Sequence, residues 1–128
     1  FIYNLLKDSL VASGLVTHGS GTAATNNQLQ FSNTVSSNCT SLGRYRVGKP
    51  YVGKFGLAFK LHGLDRTNSR AFERYVVLHA HDCVPVNEVF PLPICESWGC
   101  PTVSPAFLNV LKNYISGSAK PILMWIYY

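Results

Sequence analysis

Only one stretch of this chain reads clearly as a helix, and that bounds the fold more tightly than anything else. In "SPAFLNVLKNYISG" (104–117), Phe107, Val110, Leu111 and Tyr114 recur on one face. Ser104 can cap the start, Pro105 suits the first turn and Gly117 can end it. A helix over about 105–116 is predicted, laid on a sheet. Elsewhere the apolar runs have strand length: "GRYRV" (43–47), "FGLAFKLHG" (55–63), "RYVVLHA" (74–80) and "PILMWIYY" (121–128). Residues 1–17 fit a helix at Leu5, Leu6 and Leu10, but Lys7-Asp8 divides two apolar runs as a hairpin turn does, so two strands are expected. Residues 18–42, rich in Gly, Ser, Thr and Asn, read as a long surface excursion. The prolines of "PVNEVFPLPIC" (85–95) forbid a central strand. The expected fold is mainly β, a sandwich or partly closed barrel with that one helix, as a single domain over residues 1–128.

The bulk numbers exclude several function classes. Apolar residues are 47% and charged residues 13% of 128, so the chain folds around a core. The net charge of +5 is scattered, with a mild cluster at Arg44, Arg46 and Lys49, whereas a nucleic-acid binder concentrates its cations. A carboxylate-bearing polymer remains compatible with that balance. No apolar run reaches the roughly 18 residues a membrane span needs. The chain opens at Phe1 without methionine or signal peptide, so a trimmed or processed piece is expected.

Chemistry has three claimants around "CESWGCP" (95–101). Zinc is one: in "HAHDC" (79–83), His79 and His81 share a strand face, but Asp82 faces the other way and His18 and His62 are remote. No metal site and no cofactor are therefore expected. Disulfides are the second. Cys39, Cys83, Cys95 and Cys100 permit three full pairings, and a Cys83–Cys95 bridge would pin the proline-bearing loop between them. Closing such a loop is worth about 3 kcal/mol in the chain-entropy model, in an oxidising compartment. Cys100 with Cys39 is the bland competitor to catalysis. The third claimant is a nucleophilic Cys100 with His79 as its base, Gly99 letting a substrate approach and the Cys100 N–H as an oxyanion donor.

Five motifs, in order, bear on that choice: "THGSGTAATN" (17–26), "TSLGRYRVG" (40–48), "KFGLAFKLHGLD" (54–65), "RYVVLHAHD" (74–82) and "SWGCPTVSP" (97–105). Together they resemble the L,D-transpeptidase catalytic domain, the YkuD-like family that modifies peptidoglycan, and within it the murein L,D-transpeptidase branch. The resemblance covers almost the whole chain. It implies a β-sandwich-like fold and favours the hairpin at residues 1–17.

By position it implies Cys100 as nucleophile, His79 as base and the Ala80 backbone carbonyl as the group orienting the ring. Gly99 and Cys100 amides would form the oxyanion hole. Ser97 matches the family's Ser/Thr and would support the turn beside the substrate. The wider family has a histidine before Gly-Cys where this chain has Trp98. His62, or Trp98 stacking at the cleft edge, is the expected substitute. Arg74 or Arg70 would clamp a substrate carboxylate, and His18 would order its loop or touch substrate.

The implied reaction is acyl transfer on peptidoglycan tetrapeptide stems at the diaminopimelate–D-alanine bond, through a thioester resolved by an amine. The alternatives are an L,D-carboxypeptidase that uses water and a catalytically dead wall-binding module with a structural Cys100. A monomer in the periplasm or another extracytoplasmic part of the bacterial envelope is implied.

Overall fold

The structure is a computed structural model describing residues 1–21 and 29–128. Residues 22–28, within the excursion read over 18–42, lie outside the described residues. The strands are β1 (Ile2–Asn4), β2 (Ser9–Ala12), β3 (Val16–Thr17), β4 (Gly43–Gly53), β5 (Gly56–Gly63), β6 (Val77–Ala80), β7 (Thr102–Val103) and β8 (Leu123–Ile126). The helix, α1, spans Pro105–Gly117. Six strands form one curled sheet, a half-barrel, in the order β3-β7-β6-β5-β4-β8. All described pairs are antiparallel except β6 with β7, which run the same way.

Local chemistry explains most of these elements. Ser104 accepts the Phe107 N–H at 3.2 Å, capping α1 with Pro105 in its first turn. The expected hairpin forms: β1 pairs with β2, and Asn4 Oδ1 accepts the turn amides of Leu6 and Lys7 at 3.0 and 3.1 Å. Strand alternation sorts the sheet into two faces. Tyr45, Val47, Phe59, Leu61, Leu78, Val103 and Ile126 point into the core, where Leu108 of α1 meets them. Fully burying such side chains stabilises by about 1.5–3 kcal/mol each.

Three expectations need correction. The strand read over 43–47 runs on to Gly53, through Pro50, because the register shifts between Val47 and Pro50 and a bulge accepts a residue lacking an N–H. Of the run 74–80, only Val77–Ala80 is strand. Arg74, Tyr75 and Val76 close turns onto Arg70, Phe72 and Ala71 carbonyls at 2.9, 3.1 and 2.9 Å, with Tyr75 at φ 56°. Finally, the excursion over 18–42 is not all surface, since Cys39, Thr40 and Ser41 are buried at its base. Cys83 and Cys95 are bridged, while Cys39 and Cys100 are free thiols.

Candidate active site

The backbone around Cys100 is fixed by three chain segments. Ser97 N–H donates to the His18 carbonyl at 2.9 Å, and Ser20 N–H to the Ser97 carbonyl at 3.0 Å. Thr17 hydroxyl donates to the Cys95 carbonyl. Ser97 Oγ donates to the Cys100 carbonyl at 2.6 Å and accepts the Gly99 N–H at 3.2 Å. Thr40, fully buried, donates its hydroxyl to the Gly99 carbonyl at 3.1 Å and accepts the Gly19 N–H at 2.9 Å. Gly99 sits at φ +110°, and a Cβ there would lie 3.0 Å from the Cys39 carbonyl oxygen. A Cβ on Gly19 would lie 2.1 Å from the Asn38 carbonyl oxygen, so both positions need glycine.

Parallel register brings His79 alongside. His79 pairs with Thr102, and Cys100 precedes Thr102 by two residues, so thiol and imidazole belong to the sheet face turned away from the core. His79 Nδ1 lies 3.0 Å from the Ala80 carbonyl oxygen, which can only accept, so Nδ1 carries the hydrogen. In the neutral ring Nε2 is then an acceptor, 3.0 Å from Thr102 Oγ1. The same hydroxyl lies 3.1 Å from the Cys100 carbonyl oxygen and can donate to either. Phe55, at the tip of the β4–β5 hairpin, stacks on the imidazole at 4.8 Å between centroids, with Lys54 Nζ 5.7 Å from the Phe55 ring centre.

The thiol is not on the imidazole. Among the described residues no hydrogen bond joins Cys100 to His79; the Cys100 S–H donates instead to the Tyr75 carbonyl at 3.8 Å. Burial pushes the Cys100 thiol pKa up, opposed by the Val77 amide and the Arg74 charge. Burial likewise pushes His79 down, with the Ala80 carbonyl opposing and His81 adding to the effect. Both shifts favour the uncharged forms, thiol and neutral imidazole.

The other residues singled out in the sequence separate into distinct places. Gly99 N–H is taken by Ser97, whereas Cys100 N–H has no partner among the described residues. Trp98 is 80% exposed beside the turn. Arg74 is occupied internally: Nη1 donates to the Ser32 carbonyl and Ser41 Oγ at 2.8 and 2.6 Å, and Nη2 to Ser37 Oγ and the Cys39 carbonyl at 3.3 and 2.6 Å. It straps the 32–41 loop to the approach of β6. Arg70 pairs with Glu73 at 3.2 Å.

His62 stands on β5, four residues beyond Ala58, the cross-strand neighbour of His79, and stacks on Phe72 at 4.9 Å. His18 orders its surroundings through its backbone; its buried Nδ1 lacks a partner among the described residues, and its side chain lines the apolar groove beside the β1–β2 hairpin and α1. His81 Nδ1 accepts the Cys83 N–H at 3.2 Å.

Sequence reasoning missed Thr40, Thr102, Phe55 and Tyr75. Thr102 carried a usable signal, since a period of two from Cys100 places it on the same face. No curated protein and no solved structure matches the chain significantly. A family model described as the L,D-transpeptidase catalytic domain matches residues 1–127, and the chain belongs to that family.

Proposed function

We propose that this domain is a cysteine acyltransferase that cuts the diaminopimelate–D-alanine amide of a tetrapeptide stem and passes the acyl group to an amine. The family supplies the reaction class, L,D-transpeptidase chemistry on peptidoglycan. The observation that carries the residue assignment is the parallel register of β6 and β7, which sets a free thiol and an imidazole of fixed tautomer on one sheet face.

With substrate bound, the thiol leaves the Tyr75 carbonyl and turns to Nε2, which takes its proton. The sulfur attacks the amide carbon, and the Cys100 N–H holds the developing oxyanion. As the C–N bond breaks, the imidazolium returns the proton to the departing D-alanine amine and leaves a thioester. Attack by the acceptor amine releases the acyl group and restores the thiol. The Ala80 carbonyl keeps the ring in its working tautomer throughout, as a carboxylate does in a serine triad. Gly99 and Ser97 shape the turn, and Trp98 is free to lie along bound substrate. The Cys83–Cys95 bridge fits an oxidising, extracytoplasmic setting in the bacterial envelope.

The test is intact mass after incubation with a carbapenem. One adduct on the native protein and none on Cys100→Ser is expected; an unmodified native protein sinks the proposal. Incubation with tetrapeptide-bearing wall fragments then identifies the acceptor, since dimers report an amine and tripeptides report water.

A further inference from the structure

The sheet face that carries Cys100 and His79 continues across β5 and β4, and there it becomes cationic. Cross-strand pairing fixes the rows: Ala58 lies beside His79, Lys60 beside Val77, and His62 beside Arg46. These outward residues alternate with Phe59, Leu61, Tyr45 and Val47, which are buried in the core. On the other side of Val77 sits Cys100, whose thiol lies against the Val77 backbone and the Tyr75 carbonyl.

Lys60 is held in a defined place. Its Nζ lies 5.3 Å from the Phe72 ring centre and 5.8 Å from that of Tyr51, while Phe72 stacks on His62. The bulge in β4 leaves Gly48 against the His62 ring, where a Cβ would come within 2.7 Å of Nε2. Arg44, the next outward residue of β4, is paired with Asp65 at 2.5 Å. Arg46 and Lys60 have no ionic partner among the described residues.

We infer that Lys60 and Arg46, flanked by His62, Phe72 and Tyr51, form a subsite for a carboxylate of the donor peptide. The inference rests on the proposed function and names the residues that recognise its substrate. It replaces Arg74, whose guanidinium is taken up by the 32–41 loop. The spacing fits a stem peptide, because two strand intervals of about 4.8 Å separate the Cys100 row from Lys60, close to the span of three extended peptide residues at about 3.3–3.6 Å each. A stem lying across the strands with its scissile carbonyl at Cys100 thus delivers a free carboxylate to the two cations. The faces of Phe72 and Tyr51 keep the ammonium in position without neutralising it.

Calorimetry on Cys100→Ser protein, which does not turn over, tests this. The probes are a tetrapeptide stem ending in diaminopimelate–D-alanine and its fully amidated counterpart. The free acid should bind about three- to tenfold more tightly than the amide. Lys60→Met and Arg46→Gln, each added to the Cys100→Ser background, should each remove much of that preference and leave amide binding unchanged. Lys60→Gln, which keeps a polar chain, should behave like Lys60→Met. Equal affinity for the two peptides, undetectable binding of the acid, or an equal loss on both peptides overturns the subsite. A protein that prefers the acid but is never acylated by a carbapenem keeps the subsite and loses the transpeptidase reading; one acylated but indifferent to carboxylates does the reverse.

Discussion

The proposed nucleophile, Cys100, and its proposed base, His79, are held in opposite ways. At Cys100 the backbone is clamped by the buried Thr40 and the half-buried Ser97, while the sulfur rests on a carbonyl belonging to the approach of β6. At His79 the side chain itself is clamped, by Ala80 on one nitrogen, Thr102 on the other and Phe55 over its face. The thiol is held by weak contacts alone, to the Tyr75 carbonyl and the Val77 amide, whereas the ring is held at both nitrogens and over its face. The moving part of the proposed first step is therefore the sulfur, and the ring is the fixed post toward which it turns.

Removing the clamp on the nucleophile should have the largest effect. Thr40→Val strands the Gly19 N–H and the Gly99 carbonyl, both interior, and should cost about 2–4 kcal/mol of unfolding free energy in urea denaturation. Acylation of Cys100 should fall with it. A native-like midpoint would mean that the cradle is redundant.

The clamp on the base comes next. Thr102→Val removes the hydroxyl between His79 Nε2 and the Cys100 carbonyl. Carbapenem acylation should slow about tenfold with the protein still folded, less than the roughly 10²–10⁴-fold of a lost general base, because the imidazole stays and only its anchor goes. An unchanged acylation rate would show that the ring needs no second anchor.

The smallest effect is expected at Phe55, which is 48% exposed and whose loss leaves the core intact. Desolvation is the largest cause lowering the His79 pKa below its ordinary 6.5, so uncovering the ring should raise it. The proposed base works when neutral, so the acylation rate should climb with pH through a midpoint below 6.5 in the native protein, and through a higher one in Phe55→Ala. Imidazole NMR titration of both proteins measures the same shift without any turnover; identical curves would strip Phe55 of this role.

Signals that live in neighbouring residues were legible in the sequence. The cap, first-turn proline and apolar stripe of α1 lie within 14 letters, and the helix follows them closely. Cys100 and His79 stand out in the sequence by chemistry and motif, and their roles remain the proposal above; the Cys83–Cys95 bridge was legible as a loop worth pinning. What stayed hidden is tertiary. Arg74 reads as a free cation near a strand, yet its long side chain reaches carbonyls and hydroxyls more than 30 residues away in the chain. Backbone carbonyls look alike at every position, so no letter pattern announces them as partners. Thr40 is hidden for the same reason, and the bulge that carries β4 past Pro50 depends on register with β5.

The shared direction of β6 and β7 has a consequence for how such a domain diversifies. Strands that run the same way are joined by a crossover rather than a tight turn, and here the crossover is residues 81–101, stapled by Cys83 and Cys95. Insertions inside that staple would leave the register that aligns His79 with Thr102 untouched. The loop is thus the part of the molecule that evolution, or an engineer, can lengthen at least cost to that alignment.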